Sequence, residues 1–492
     1  HKAADLLKEL IGDDSPTVRH RATLAATLHS IGEIQIGLKQ YDEAEESLQE
    51  ALQTRRKLLE EQPDNSRAAL DVLAVEYSQG RLHWDREESA DAHRCWQTCL
   101  EQLLLLARAD REDKDLQQAI VIQERKIFQH YGRCGLFPLV CEYAARSSES
   151  NRIRSAADVP ELVSEGEFSA VVLLDADREL ARGYCRQLAE SLRDTKYQWT
   201  VDLIHLVRLI AALGDSDLLS EELLSEFQSA FDERSEQEWL NVGMAIVHYC
   251  HGRYSEAESV LESFRESTTP QLAFLDAAIA SKLGDKERAQ QRWSDAEARY
   301  GQICRDALAR GVADDNKGIF DQYWWQFAYD HAMRRLASEA IWGGAAPDDP
   351  WQHLIQARGY RLIGEGEKAE VELAAASAAA PGDSDVLMAR IRLFQEWNES
   401  ERAEPEWQKM VDSAGDDPMP WIRRGRWYAE QGEQEKADAD FAKAASLTPD
   451  ELNKFLEAGW WVVGPCSANL DEFCPPEIDP DPSRPVYTID PK

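Results

Sequence analysis

A pattern of large and small side chains recurs every 34 residues between His353 and Pro449, and it restricts the fold more tightly than any other feature of this sequence. Counting residue 418 as position 1, Trp421, Arg424, Gly425, Tyr428, Ala437, Phe441, Ala444 and Pro449 fall at positions 4, 7, 8, 11, 20, 24, 27 and 32. One period earlier, Leu387, Arg390, Ile391, Phe394, Ala403, Trp407 and Met410 take the same places. Two periods earlier stand His353, Gln356, Ala357, Tyr360, Ala369, Leu373, Ala376 and Pro381. Two antiparallel helices cross closely only where a small residue faces a large one. Gly425 and Ala437 are thus expected at the crossing, with Trp421, Tyr428 and Phe441 filling the space around them. Gly432 suits the intervening turn. Pro449 cannot donate the next backbone hydrogen bond and should end the second helix.

Weaker units lie upstream. Gly252, Ala257, Leu261 and Phe264 mark one second helix, and Gly284, Ala289, Trp293 and Ala296 mark another. Near the beginning, Gly32, Ala44, Leu48 and Ala51 match Gly80, Ala92, Trp96 and Cys99 at a constant offset of 48 residues. There the second helix is longer and runs through Leu58 and Leu59 to Pro63. Helical spacing of apolar residues continues over Leu116–Tyr131 and Leu203–Leu213, without a clear repeat register. Val171–Leu174 reads as a buried helix turn or a short strand. After Pro449, Asp450–Ala458 reads as a short helix. Then come Trp460-Trp461-Val462-Val463, expected to cap the last unit, and prolines 475, 476, 480, 482 and 485, which favour an extended path.

The expected organisation is long-helix pairs over 1–110, degenerate helical repeats over 111–235 and helix pairs over 236–345. Three regular 34-residue units come next over 346–450, then a capping helix and Pro/Asp-rich tail over 451–492. The fold class is all-α, an α-α superhelix of about seven to ten helix pairs, in which each unit contacts only its neighbours.

Composition narrows the function. Lys and Arg total 55 against 91 Asp and Glu, a net charge of −36 that repels phosphate backbones and anionic membranes. Nucleic acid and membrane are therefore not expected partners. The 15 Trp are many for a helical chain, and helix–helix contacts would use them. Nine irregularly spaced cysteines fit single buried thiols in a reducing, cytoplasmic setting better than a disulfide framework. No apolar run approaches the roughly 20 residues of a membrane span. The chain opens on His1 rather than Met, so its natural beginning is expected upstream.

The repeat resembles the tetratricopeptide repeat (TPR) over most of the chain and most specifically over 350–450. The layout is also similar to the C-terminal, non-catalytic region of large bacterial Hanks-type serine/threonine protein kinases that carry such arrays. The segments that carry this likeness are Arg21–Pro63, Arg178–Leu192 and above all Phe455–Val486. In that family a β-rich domain often follows the tail. The sequence holds no kinase Gly-rich loop, His-Arg-Asp loop or Asp-Phe-Gly, so the resemblance implies a kinase context without kinase activity. It implies contact with a kinase or β-rich domain outside this chain, and binding of other proteins or peptides.

No P-loop, Gly-x-Ser-x-Gly, His-Glu-x-x-His or dinucleotide fingerprint occurs, and no catalytic residue, cofactor or metal is assigned. Two clusters could suggest a metal, His248/Cys250/His251 and His93/Cys95/Cys99, but packing accounts for both. Cys466 and Cys474 could pair only in an oxidising compartment. The sharpest constellation is a ladder of arginines at position 9: Arg358, Arg392 and Arg426. In arrays of this family, positions 2, 5, 9 and 12 of the first helix face the concave groove. Arg361 adds position 12, Arg423 lies at the groove edge, and Leu354, Met388 and Ile422 supply apolar position 5. This set would suit an extended peptide bearing carboxylates or phosphate. The carboxylate clamp of chaperone-binding relatives also uses Lys and Asn, which are absent here. The competing reading is that the arginines neutralise carboxylates such as Glu365, Glu396 and Glu430 on adjacent helices. The alternative functions are a structural or assembly module that contacts neighbouring domains of the same polypeptide and, more remotely, an enzyme whose site matches no known motif.

Overall fold

The computed structural model describes residues 17–110, 112–140, 142–143, 225, 228–229, 238–264, 269–309, 324–344 and 347–447. Among these residues there are helices and no strand. The N-terminal helices are α1 (Val18–Gly37), α2 (Tyr41–Glu61), α3 (Ser66–Asp85), α4 (Ser89–Ala109) and α5 (Lys114–Arg133). The middle set is α6 (Glu238–Cys250), α7 (Tyr254–Leu261), α8 (Pro270–Lys282), α9 (Lys286–Ala309) and α10 (Trp324–Trp342). The three regular units give α11 (Pro350–Leu362), α12 (Gly366–Ala379), α13 (Ser384–Glu396), α14 (Ser400–Asp412), α15 (Met419–Glu430) and α16 (Gln434–Leu447). Each regular unit is thus one helix pair at the spacing read from the sequence. Val171–Leu174, Arg178–Leu192, Leu203–Leu213, Cys185, Asp450–Ala458, Trp460–Val463, Cys466 and Cys474 lie outside the described residues. No helix among the described residues is long and apolar enough to cross a membrane.

Local chemistry sets the helix ends. Thr17, Asn65, Asp113 and Asp383 each accept a backbone N–H of the first turn with the side chain, satisfying donors that no carbonyl reaches. The turn within a pair holds one residue in the left-handed region. Gly252, Gly284, Gly364 and Gly432 fill it in four pairs, and Lys39, Glu87 and Asn398 in three others at φ 60°, 68° and 57°.

The chain forms two compact units. The first comprises residues 1–303, 318–348 and 355–371. In it α1 packs on α2, α2 on α3, α3 on α4, and α5 on both α3 and α4. Further along, α6 packs on α7, α7 on α8, and α8 on α10. The second comprises residues 304–317, 349–354 and 372–492, where α13 packs on α14, α14 on α15, and α15 on α16.

The small-against-large rule appears in atomic detail. A Cβ at Gly32 would meet Leu48 Cγ at 2.7 Å, and one at Gly425 would meet Phe441 Cε1 at 2.8 Å. At Gly80 it would run into the Trp96 indole. The 48-residue offset therefore relates two equivalent crossings. Trp96 is wholly buried, donates its indole N–H to the Tyr77 carbonyl at 3.3 Å, and stacks on His130 with ring centroids 4.4 Å apart. Trp84, Tyr77 and Tyr131 close around it at centroid distances of 5.7, 6.4 and 6.2 Å.

One expectation fails inside the first unit. Contacts are not confined to neighbours in sequence. Cβ atoms at Gly359 and Gly135 would overlap the Cys134 carbonyl and Ile355 respectively, so α11 lies directly on the turn after α5. A Cβ at Gly364 would lie 3.1 Å from that of Ala90, and His93 Nε2 comes to 3.9 Å from Glu365. Glycines at 135 and 359 remove the side chains that would keep these segments apart.

The crossing at Trp96 can be tested with a single methyl group. Gly80→Ala should lower stability by about 1–3 kcal/mol, because overpacking at Trp96 outweighs the roughly 1 kcal/mol gained in helix propensity. Gly37→Ala, with open space at its Cβ, should be neutral or stabilising; urea melts of both variants measure the difference.

Acid should weaken the same aromatic cluster. Loss of hydration, helped by Arg133 and Arg81, pulls the His130 ring down to about 3, against about 6.5 in an unfolded chain. The unfolded state therefore binds more protons between those values. Stability should fall as pH drops below about 6.5 and continue falling towards 3, by up to about 1.4 kcal/mol per pH unit for this one group. His130→Phe keeps a stacking ring without the titration and should flatten the slope between pH 6 and 4 in urea titrations.

Candidate functional site

The three regular units place two sets of arginines on their first helices, and the sets differ in what they touch. Position 7 points into the pair. Arg424 donates to both carboxylate oxygens of Asp440 at 2.7 Å, and to Gln408 Oε1 at 2.7 Å. One guanidinium thereby joins α14, α15 and α16, and it also lies over the Trp421 ring at 5.0 Å. Arg390 pairs with Glu406 at 3.2 Å, and both residues are buried. In the first regular unit His353 meets Glu372 at 2.6 Å. Position 23 is therefore an acid in every unit, Glu372, Glu406 and Asp440, answered from position 4 or 7 of the preceding helix.

In the sequence, Arg390 and Arg424 stand out only as markers of the period. The signal for their pairing is a base and an acid eight residues on either side of the left-handed turn residue. Arg424, Gly432 and Asp440 show it, as do Arg390, Asn398 and Glu406. Asp276, Gly284 and Arg292 show it with the charges exchanged, and there Arg292 and Arg288 hold Asp276 at 2.9 and 2.8 Å.

Position 9 behaves differently from the expected uniform ladder. Arg358 is only 2% exposed, Arg392 is half-buried and Arg426 is exposed. Arg358 is enclosed because α11 carries the turn after α5 on this face. Its guanidinium acts against the burial that raises the neighbouring Cys134 thiol to about 12. It belongs to the interior of the first unit and is not available to a ligand. Arg361 is exposed at the end of α11, also in the first unit.

The position-5 residues are likewise corrected. Leu354 is fully enclosed, and Met388 and Ile422 are each 7% exposed, so they do not form an open apolar strip. Ile422 is taken up by Ala444, with Met419, Trp421 and Ala445 around it. Within the second unit, Arg392 and Arg426 keep some exposure while the position-5 residues are closed off. Arg423 is half-buried and makes no ion pair among the described residues. Burial raises the Glu430 carboxyl, and the nearby Arg426 acts in the opposite direction.

Several side chains of the clusters with metal-ligand chemistry have protein partners. His93 Nδ1 is 2.9 Å from the Tyr131 hydroxyl, and the Cys99 thiol is buried 3.9 Å from the Leu73 carbonyl. His251 Nδ1 binds the Val247 carbonyl of its own helix at 2.8 Å. His83, Glu88 and Asp91 come together at the turn between α3 and α4, with His83 2.6 Å from Glu88 and Asp91 paired with Arg94.

Comparison with known proteins places tetratricopeptide repeats at residues 24–65 and 420–451, each matched by a family model of that description. These are the α1–α2 pair and the α15–α16 pair. The described residues are all-helical, and these two helix pairs match the tetratricopeptide repeat. No curated protein matches. The crystal structure of the yeast Tom70 aligns at 12% identity and a TM-score of 0.27, over 88% of this chain and 99% of that one. The crystal structure of the APC/C hetero-tetramer Cut9-Hcn1 aligns at 10% identity and a TM-score of 0.22, over 88% and 96%. At these scores the alignments add nothing to the architecture already described.

The two arginine sets separate in a stability measurement. Arg424→Gln strands the buried Asp440 carboxylate and should cost about 3–5 kcal/mol. Arg426→Ala should change stability by less than about 1 kcal/mol, as at exposed sites. Thermal melts of the two single variants check the contrast.

Proposed function

We propose that this chain is a non-catalytic protein-interaction scaffold whose second unit binds extended acidic or phosphorylated segments of other proteins through Arg392, Arg423 and Arg426. The observation that carries this reading is the division of labour among the arginines. Arg390 and Arg424 hold buried acids inside their pairs, whereas Arg426 is exposed and Arg392 and Arg423 are half-buried, in a chain of net charge −36. Holding positive charge on one face of such a chain favours anions there. Guanidinium forks match carboxylate and phosphate oxygens in two-point hydrogen bonds. With Leu354, Met388 and Ile422 closed off, recognition rests on charge and hydrogen bonding and not on an apolar floor.

The biological setting we infer is cytoplasmic, as a docking or sensory region of a signalling kinase, on the likeness of Arg21–Pro63 and Phe455–Val486 to such proteins. Arg361 would serve a similar anion-binding role on the first unit. The burial of Arg358 against Cys134 supports a second role within the same molecule, that of a structural module holding distant segments together.

Fluorescence anisotropy with labelled acidic and phosphorylated peptides tests the binding reading. Affinity should fall with added salt, because exposed charges are screened over about 8 Å at physiological ionic strength. Replacing Arg392, Arg423 and Arg426 together by Ala should weaken binding by about 2–4 kcal/mol, with melting temperature nearly unchanged. A large fall in melting temperature with no peptide bound would favour the purely structural role.

A further inference from the structure

A group of cations lies between α3 and α5 in the first unit. Tyr77, Arg81 and Trp84 are spaced i, i+4 and i+7 on α3, so they share one helix face. Lys126, His130 and Arg133 have the same spacing on α5. The two faces meet. Lys126 Nζ lies 5.4 Å from the centre of the Tyr77 ring, and the Tyr77 hydroxyl is 3.3 Å from His130 Nε2. The Trp84 and His130 ring centroids are 6.0 Å apart. Arg81 leaves α3 between Tyr77 and Trp84, the two residues that touch His130. Lys126 and Arg133 leave α5 on either side of His130, about two turns or ~10 Å apart.

The fold answers only part of this charge. Arg81 Nη1 donates to Glu33 Oε2 of α1 at 2.7 Å, and the Arg81 side chain keeps 36% exposure. Lys126 reaches Gln123 Oε1 of its own helix at 3.4 Å and makes no ion pair among the described residues. Half-buried Arg133 also makes no ion pair among the described residues, and its Nε is buried without a hydrogen-bond acceptor. A buried donor left without an acceptor is costly, and an arriving anion would satisfy it. Two carboxylates act on Tyr77 from this side, Glu33, already bonded to Arg81, and Asp85 at the end of α3. Loss of hydration pulls the Lys126 ammonium below its usual range; Glu33 opposes this and Arg81 adds to it.

We propose that Arg81, Lys126 and Arg133 form an anion site between α3 and α5 that takes a phosphate monoester on an extended segment of a partner protein. Three cations stand here against Glu33 and Asp85, in a chain of net charge −36, so the spot holds positive charge against the overall field. A phosphate monoester carries about −1.5 to −2 charges at pH 7 and three strong acceptor oxygens. That is one oxygen for each cation, where a carboxylate offers two. Arg133 and the N–H groups of Arg81 not used by Glu33 supply directional donors, and Lys126 supplies a point charge. The site lies on the first unit, so it stands or falls apart from the second-unit arginines.

The test uses the full chain carrying Arg392→Ala, Arg423→Ala and Arg426→Ala, so that the second-unit arginines contribute nothing. Isothermal titration calorimetry at low salt compares a Gly/Ser peptide bearing one phosphoserine, its unphosphorylated counterpart and inorganic phosphate. The phosphopeptide should bind and its counterpart should not. Adding Lys126→Gln and Arg133→Gln should weaken phosphopeptide binding at least about tenfold, as expected for lost charge-assisted hydrogen bonds. Circular dichroism and urea melts verify that this variant is folded. Lys126→Arg alone keeps the charge and should retain binding, which separates a lost contact from a lost fold. Equal phosphopeptide binding with and without the two Gln changes overturns the proposal, as does the absence of phosphopeptide binding. If inorganic phosphate binds as tightly as the phosphopeptide, the assignment to a partner segment is overturned. Phosphopeptide binding by the natural chain that the three Ala changes abolish overturns this site and leaves the second-unit reading standing.

Discussion

The fold depends on one steric condition, that two helices of a pair approach closely only where a small residue of one faces a large residue of the other. Gly32 against Leu48, Gly80 against Trp96 and Gly425 against Phe441 are three instances. The large partner fills the space that the glycine leaves, so removing bulk opens a cavity and adding it forces the helices apart. This pairing fixes which faces meet. Given it, Ala44, Ala92, Ala257, Ala289, Ala369, Ala403 and Ala437, each at most 1% exposed, fall on the opposing side of their own crossings. The left-handed residue at each turn has its origin in the same geometry, since the second helix must return close to the first. Where that residue is Lys39, Glu87 or Asn398, the chain accepts a backbone conformation that glycine would adopt more easily.

Buried ion pairs supply what steric matching does not. Leu, Ala and Trp can slide along one another, but Arg424 reaching both Asp440 oxygens and Gln408 has one satisfactory position. Such a pair adds little net stability over a well-packed apolar substitute, while breaking it strands a charge. Its reciprocal form at Asp276 and Arg292 shows that the register, eight residues either side of the turn, matters more than which helix carries which sign. We read these pairs as setting the axial register of each helix pair.

The parts of this structure that are legible in sequence are those governed by local periodicity. The 34-residue spacing locates α11 to α16, and the 48-residue offset locates the equivalence of α1–α2 with α3–α4. Pro63, Pro381 and Pro449 each stand within a few residues of a helix end. The position-7 pairs are present as a spacing, but a charge in a strongly acidic, helix-rich sequence carries little information by itself. The packing of α11 onto Cys134 and Gly135 leaves no trace in the pattern. It joins segments more than two hundred residues apart in the chain, and no periodicity connects them.

That long-range contact also changes how a repeat position should be interpreted. Arg358, Arg392 and Arg426 share a residue type, a helix and a place in the period, yet the first is enclosed and the last is exposed. The period determines the direction in which a side chain leaves its helix. What it meets there is determined by whatever else the chain has folded against that face. At Arg358 this is the turn after α5, made possible by Gly135 and Gly359, each of which would clash if it bore a Cβ. A ladder of identical residues is therefore a ladder of directions and not of environments. Function along such an array has to be argued unit by unit, with the covering segment identified for each.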